Sequence, residues 1–500
     1  METQRKTALL QLADCWAKTD LHGRPQLSVA RHCTNVGKVA ELLAATLPAN
    51  LASHLPNGSS TLCALHDIGK ISPGFLMKAP FWRNRWQSPL GLLANGYESR
   101  HAWTSQEVIA SNYNAPPRWL MALGGHHGHY LCDEARPLAG FFQKSIGTGV
   151  FERLRGEAMS ALTAEFGELP AEQDVEKGAR LHWFTGFMIF CDWLGSNTTW
   201  FPIGKDAADP ASGAQRALDE TGVHRRDAAK NLKFQDLFGL ASPRPLQETL
   251  VAAMDSPGLY VVEAPMGDGK TEAALAGAYR RWTEGDERGL YFALPTQLTS
   301  NRIHSRILEF LQRAVADQSA FALVHGNAWL SDCRISALTP SAPATSPTEE
   351  PDNAAASNQW FSDSRRAMLA PFAVGTIDQA LMAVVAVKFS ALRMFGLGGK
   401  VVVIDEVHSY DDYTSALVDR LVRWLLELGG SVVILSATLS AARRAALVKA
   451  AGAVEAEQTS AYPLITMVKA GAAEAEHRTV ARDTTRSLGV VTEMLPGDSD

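Results

Sequence analysis

Two textures of hydrophobic patterning divide the chain. Up to about residue 205, apolar residues recur at helical spacing. In SVARHCTNVGKVAELLAATL, which starts at Ser28, Val29, Val36, Val39, Leu43 and Leu47 form a helical stripe. RWLMALGGHHGHY begins as an apolar helix and breaks at Gly124-Gly125. RLHWFTGFMIFCDWLGSN is apolar nearly all round, which predicts a buried helix. No segment of this half alternates with a period of two, so no strand is expected there. From Pro243 the texture changes. The short apolar runs GLYVVEA, GLYFAL, AFALVH, KVVVIDE and SVVILSAT are separated by helical stretches such as TEAALAGAYRRW and YTSALVDRLVRWLLEL. Strands alternating with helices imply a parallel sheet covered on both faces. The expected fold is therefore multidomain, an all-α domain followed by an α/β domain with a parallel sheet.

The expected boundaries are 1–205 for the helical domain, 206–240 for a polar linker or surface helical segment, 241–470 for the α/β domain, and 471–500 for a tail or the start of a further domain. TPSAPATSPTEEPDNAAASNQ, from Thr339, has no apolar period and reads as an irregular insertion. A chain of 500 residues is too long for one core, which agrees with this division. The net charge of −6 gives no global signal for nucleic acid, so any such binding must rest on local grooves. None of the six cysteines forms a CxxC pair, which argues against thiolate zinc or redox chemistry and suits a reducing, cytoplasmic setting. The apolar stretch from Leu181 to Leu194 is too short to span a bilayer, so no membrane partner is expected.

Chemistry concentrates in two places. APMGDGKTEAAL follows an apolar strand and opens a helix, the context a phosphate-binding loop requires. Gly267, Asp268 and Gly269 would turn backbone N–H groups towards phosphate oxygens. Lys270 would reach the terminal phosphates, and Thr271 would hold magnesium. VVVIDEVHSY delivers Asp405 and Glu406 at a strand end, where Asp405 suits magnesium and Glu406 suits polarisation of a water.

The second place is TLCALHDIGK, where His66 and Asp67 sit side by side at the end of an apolar run. A half-buried imidazole beside a carboxylate is costly unless both find partners. A hydrogen-bonded core pair and two adjacent metal ligands are both open readings of this stretch alone. His32, His101, His126, His127 and Asp192 extend the series; Asp192 lies in the most apolar helix, where an unpaired carboxylate would be expensive. Imidazoles with a bridging carboxylate suit Mn, Fe, Co, Ni or Zn more than Ca. Two such metals can clamp the attacking and leaving oxygens of a phosphodiester. FWRNRWQ interleaves Trp82 and Trp86 with Arg83 and Arg85, a pattern that suits stacking on single strands or, equally, a surface loop with buried tryptophans.

Taken in order, the GKT loop, Asp405-Glu406-Val407-His408 and Ser436-Ala437-Thr438 resemble the motifs of superfamily 2 DExH helicases. ALPTQLTSNRI, with Thr296 and Ser300, and VGTIDQAL, with Thr376, resemble their strand-contact motifs, and the same resemblance makes Gln247 in RPLQ a candidate adenine reader. HDIGK, GGHHGHY and DWLGS resemble HD-domain phosphohydrolases, and the order of the two halves resembles the CRISPR-associated helicase-nucleases of type I systems. The resemblance implies an HD nuclease domain followed by a first RecA-like domain. It implies two divalent transition metals (Mn, Fe, Co or Ni), with His32, His66, Asp67 and Asp192 at one and Asp67, His101, His126 and His127 at the other. Lys70 would neighbour a phosphate, and ATP with Mg would occupy the helicase half. The implied partners are single-stranded DNA and a Cascade-type RNA-guided surveillance complex. A second RecA-like domain, which would complete the ATP cleft, is expected where the sequence reaches Asp500. Two other readings fit the same residues: an HD phosphohydrolase of nucleotides fused to an ATPase, and a non-hydrolysing ATP-dependent recruitment module.

Overall fold

The computed structural model describes residues 10–481, apart from 21, 96, 98–99, 113–115, 130–143, 171–174, 176–177, 204–208, 224–228, 296, 316–320, 325–334, 337–366 and 456–458. The Thr339 insertion and Thr296 therefore lie outside the described residues, as does the side chain of Ser300.

The first half is helical, with one exception to the sequence expectation. Trp16–Thr19 (β1) and Pro25–Ser28 (β2) form an antiparallel hairpin. Its strands are four residues long and its register slips twice, so no period of two could develop in the sequence. Ser28 ends the hairpin and caps the helix Val29–Thr46, its side chain accepting from Arg31 N. The helices Ser59–Ala64, Val150–Phe166 and Ala179–Gly195 pack around Val29–Thr46. Residues 210–221, within the stretch read as a polar linker or surface helical segment, form the helix Pro210–Thr221. Its Gly213, Ala214, Ala217 and Leu218 are buried, and it packs on Val29–Thr46 as part of the helical domain. Small residues make up most of that buried face, which is why its apolar signal was weak.

The α/β half is built on a sheet of nine strands among the described residues. They are Gly258–Glu263 (β3), Leu290–Leu294 (β4), Phe321–Val324 (β5), Ile335–Ser336 (β6), Phe372–Thr376 (β7), Val401–Ile404 (β8), Ser431–Ser436 (β9), Leu464–Lys469 (β10) and Glu476–Thr479 (β11). The order is β11-β10-β3-β9-β8-β4-β7-β5-β6. The six central strands, β3 to β5 in that order, are parallel; β10, β11 and β6 join antiparallel at the edges. The sheet thus runs past residue 470, and Glu476–Thr479 completes it rather than belonging to a separate tail.

Alternation along the central strands sorts the two sheet faces. Tyr260, Val262, Val401, Val403, Val433 and Leu435 meet the helix Lys270–Glu284 and its neighbours in one core. Leu259, Val261, Val402, Ile404, Val432 and Ile434 face the other way, into a core continuous with that of the helical domain. The seam is the pair Ala179–Gly195 and Ser390–Leu397. A Cβ on Gly186 would stand 2.1 Å from Ala391 O, so only glycine permits this approach. Trp183, Phe187 and Phe190 close around Phe395 at ring distances of 5.7, 6.0 and 5.3 Å. The two halves are therefore fused through packed aromatic side chains.

Candidate metal centre and nucleotide cleft

Five segments deliver the histidines and aspartates to one point. His32 comes from the first turn of Val29–Thr46. His66 and Asp67 follow the helix Ser59–Ala64, and His101 opens the helix His101–Asn112. His126 and His127 follow Pro117–Gly125, and Asp192 lies near the end of Ala179–Gly195. Gly69 lets the turn after Asp67 lie directly against the start of the His101 helix: a Cβ there would meet His101 O at 2.2 Å. Gly69 N donates to Ser105 Oγ, which locks the two segments together.

The donor atoms form two groups, His32-His66-Asp67-Asp192 and His101-His126-His127, each with its atoms within 4.8 Å of one another. Asp67 joins them. Its Oδ2 lies 2.9 Å from His32 Nε2 and 3.2 Å from His66 Nε2. Its Oδ1 lies 3.3 Å from His101 Nε2 and 3.5 Å from His126 Nε2. Asp192 Oδ1 stands 3.3 Å from His66 Nε2 and accepts from Ser196 Oγ at 3.0 Å.

These residues fit a cation. His66 Nδ1 and His126 Nδ1 lie 2.8 and 2.6 Å from the carbonyls of Cys63 and Leu123. A carbonyl can only accept, so each Nδ1 carries a proton and each Nε2 is the nitrogen turned towards the cluster. Yet Nε2 of His32, His66 and His126, and Oδ1 of Asp67, are buried without a hydrogen-bond partner. Neighbouring ligands at about 2.1 Å from one ion in octahedral geometry lie about 3 Å apart, the spacing seen here. Burial works against protonation of His66, but the carboxylates of Asp67 and Asp192 outweigh it and raise it to about 10. Burial likewise opposes ionisation of Asp67, and Lys70, His66 and His101 outweigh it, holding its carboxyl well below the usual range. His127 is pushed down to about 4 by burial and by His126 beside it. The cluster demands positive charge on the His66 side and disfavours it at His127, whose Nε2 lies 2.8 Å from His101 Nε2.

Lys70 is in the cluster but not facing open space: its Nζ lies 2.5 Å from Asp67 Oδ2, and the residue is buried. Trp82 and Trp86 are 2% and 4% exposed, and Trp82 donates to Asp14 O, so the stacking-platform reading of FWRNRWQ gives way to core packing. Ser196, the last residue of DWLGS, stands four residues after Asp192, and that helical spacing is the sequence signal for its contact with the carboxylate.

The second candidate site lies at the carboxyl ends of β3 and β8. A cleft of about 550 Å³ is lined by Gln247, Gly267, Gly269, Lys270, Thr271 and the pair Asp405-Glu406, with Arg244 and Arg306 at its sides. Gly267 and Gly269 adopt left-handed backbone at φ 81° and 80°. Asp268 belongs to the same loop but does not line the cleft. Lys270 Nζ donates to Ala264 O at 2.7 Å, folded back on the loop. Gln247 accepts from Arg244 N and donates to Gly269 O, tying the Pro245–Ala253 helix to the loop. Burial, then Glu406, pushes Asp405 up to about 6. Glu406 holds a left-handed φ of 55°, a strained backbone of the kind found at working sites. His408 Nδ1 stands 3.1 Å from Ser436 Oγ, joining the DExH and SAT segments. Thr376 is buried at the end of β7.

Fold and sites together define a helical HD domain joined to an α/β phosphate-loop domain. Residues 16–201 match the family described as Cas3, HD domain. Over 474 residues the chain is 36% identical to the CRISPR-associated endonuclease/helicase Cas3 of Thermus thermophilus, covering 87% of this chain and 50% of that protein. The crystal structure of T. fusca Cas3 with AMPPNP aligns with a TM-score of 0.74 at 28% identity, over 94% of this chain and 56% of that one. A chain of a CRISPR RNA-guided surveillance complex in a pre-nicking state aligns at 0.61 and 25% identity, over 95% and 55%. The chain is thus a relative of the Cas3 nuclease/helicases and spans about half the length of the curated relatives it matches. Among the described residues no helix is long and apolar enough to cross a membrane.

Proposed function

We infer that this chain carries a metal-dependent nuclease centre that hydrolyses phosphodiesters of single-stranded DNA, linked to an ATP-binding helicase half. The observation that carries the reading is the split of Asp67, whose Oδ2 faces His32 and His66 and whose Oδ1 faces His101 and His126, with Nε2 of His32, His66 and His126 buried and unpartnered. His32, His66, Asp67 and Asp192 would hold one divalent transition metal, and Asp67, His101, His126 and His127 the other. Bound there, the pair would supply Lewis acidity and make a water easier to deprotonate near neutral pH. The backbone carbonyls of Cys63 and Leu123 fix the imidazoles in the ligating tautomer. Lys70 neutralises part of Asp67's charge and orients its carboxylate. Ser196 orients Asp192 by donating to its Oδ1.

In the helicase half, Lys270 and Thr271 would bind the phosphates of ATP and its Mg, Asp405 the Mg, and Glu406 a water. Gln247 would read the base. A Cascade-type surveillance complex is the proposed partner; the pre-nicking assembly holding a similar chain supports that reading. The test is cleavage of circular single-stranded DNA with Mn²⁺, with Mn²⁺ plus excess chelator, and with Asp67→Ala. Cleavage that needs both the metal and Asp67 supports the reading. Turnover of nucleotides with intact circles would transfer the centre to nucleotide hydrolysis.

A further inference from the structure

The nuclease reading leaves one demand unmet. A phosphodiester entering the centre brings a negative charge next to Asp67 and Asp192, and cleavage adds more as the attacking oxygen bonds to phosphorus. Lys70 is not available to answer it, because its ammonium is buried against Asp67 Oδ2 at 2.5 Å. A second lysine stands beside the cluster. Lys18 lies on β1, a hairpin strand pinned by Trp16 Nε1 donating to Leu76 O and leading through β2 into the helix that carries His32. Its Nζ donates to Ser196 O, and Ser196 Oγ donates in turn to Asp192 Oδ1. Unlike Lys70, Lys18 is only half-buried. Burial makes its ammonium easier to deprotonate, while Asp192 and Asp67 favour the charge and Lys70 opposes it, so all three lie within electrostatic reach.

Resting on the nuclease reading, we propose that Lys18 is a substrate-contacting residue of that centre, whose ammonium binds a non-bridging oxygen of the scissile phosphate. One of its three donors is held by the Ser196 carbonyl, which aims the group; among the described residues the others have no hydrogen-bond partner and would serve the phosphate. It neither gives nor takes a proton. The water that attacks phosphorus displaces the 3′ or 5′ oxygen of the neighbouring sugar, and Lys18 only stabilises the charge gathered on the phosphoryl oxygens. A rigid strand suits this task, since a charge clamp must hold its position to within about half an ångström.

The test compares wild type, Lys18→Ala, Lys18→Met and Lys18→Arg in Mn²⁺-dependent cleavage of circular single-stranded DNA. Bound Mn²⁺ and thermal midpoint are measured on the same samples. A phosphate contact predicts an approximately 100-fold fall in cleavage for Ala and Met, unchanged bound Mn²⁺, and substantial recovery in Arg. It also predicts that the salt dependence of DNA binding loses a slope of about 0.7, the share of one phosphate contact on a single strand. Loss of Mn²⁺ in step with activity would overturn the proposal and make Lys18 a support for Asp192. Unchanged cleavage in all variants would overturn it as well. Wild-type protein that binds Mn²⁺ but leaves DNA intact would instead defeat the nuclease reading on which the proposal rests.

Discussion

Lys70 Nζ lies 2.5 Å from Asp67 Oδ2, and both side chains are buried, at 10% and 2% exposure. A buried ion pair broken from one side leaves an uncompensated charge, at a cost of about 3–5 kcal/mol. Lys70→Met should therefore lower the stability of metal-free protein by roughly that amount. Mn²⁺ should recover much of the loss, because the cations provide Asp67 with the charge the ammonium supplied. Thermal midpoints with chelator and with Mn²⁺ check this: the deficit of Lys70→Met should shrink on adding metal. An equal deficit in both conditions would mean that Asp67 does not face the cation.

Phe389 joins the halves at the centre itself. It holds a left-handed φ of 62°, its N–H donates to Gly128 O at 3.3 Å, and its ring stands 5.5 Å from Trp193. Gly128 follows His127 and Trp193 follows Asp192, so one residue of the α/β half steadies two segments of the candidate metal centre. Phe389→Gly keeps the backbone conformation without strain and deletes the ring. Cleavage should fall about tenfold or more, since displacement of a reacting group by about an ångström can cost 100-fold. Nucleotide binding should stay at wild-type affinity, which a fluorescent ATP analogue would report.

Lys400 offers a pH test of the fused core. It is buried and donates to Met368 O at 2.9 Å and Ala370 O at 2.6 Å. Burial, then Arg288, pushes it down from 10.5 to about 7. Between pH 7 and 10.5 the unfolded chain keeps a proton that the folded chain has released, so stability rises with pH across that window. Below pH 7 both states are protonated and the burial cost of the charge is fully present. Lys400→Met removes this dependence. Urea midpoints at several pH values should show wild type gaining on the variant as pH rises; parallel curves would refute the assignment.

Lys270→Ala should abolish ATP binding while leaving metal-dependent cleavage of free single strands intact. The motive is the position of Lys270 at the start of its helix inside the candidate nucleotide cleft. Isothermal titration with the Mg nucleotide measures it directly, and wild-type affinity would remove the phosphate loop from the account.

What was legible in the sequence was what is local. His66-Asp67, Gly267 to Thr271 and Asp405-Glu406 each act over a few consecutive residues whose spacing is fixed by one turn or one strand end. What depends on distant partners was not legible. Trp82 and Trp86 alternate with arginines yet bury themselves, because the chain brings Asp14 to Trp82 Nε1. The hairpin at Trp16 is too short and too irregular to show a period. The contact of Gly186 with Ala391 O joins residues more than 200 positions apart, and no pattern at either one announces it. Lys70 reads as a cation beside a phosphate, and only the fold shows it directed at Asp67.

The central claim is that Asp67 is shared between two cation sites, and metal stoichiometry tests it most directly. Native mass spectrometry of the chain loaded with Mn²⁺ should find two ions on the wild type. Asp67→Ala should hold at most one weakly bound ion, whereas His127→Ala should lose one and retain the other. Two ions on Asp67→Ala at wild-type affinity, or none on the wild type, would contradict the account.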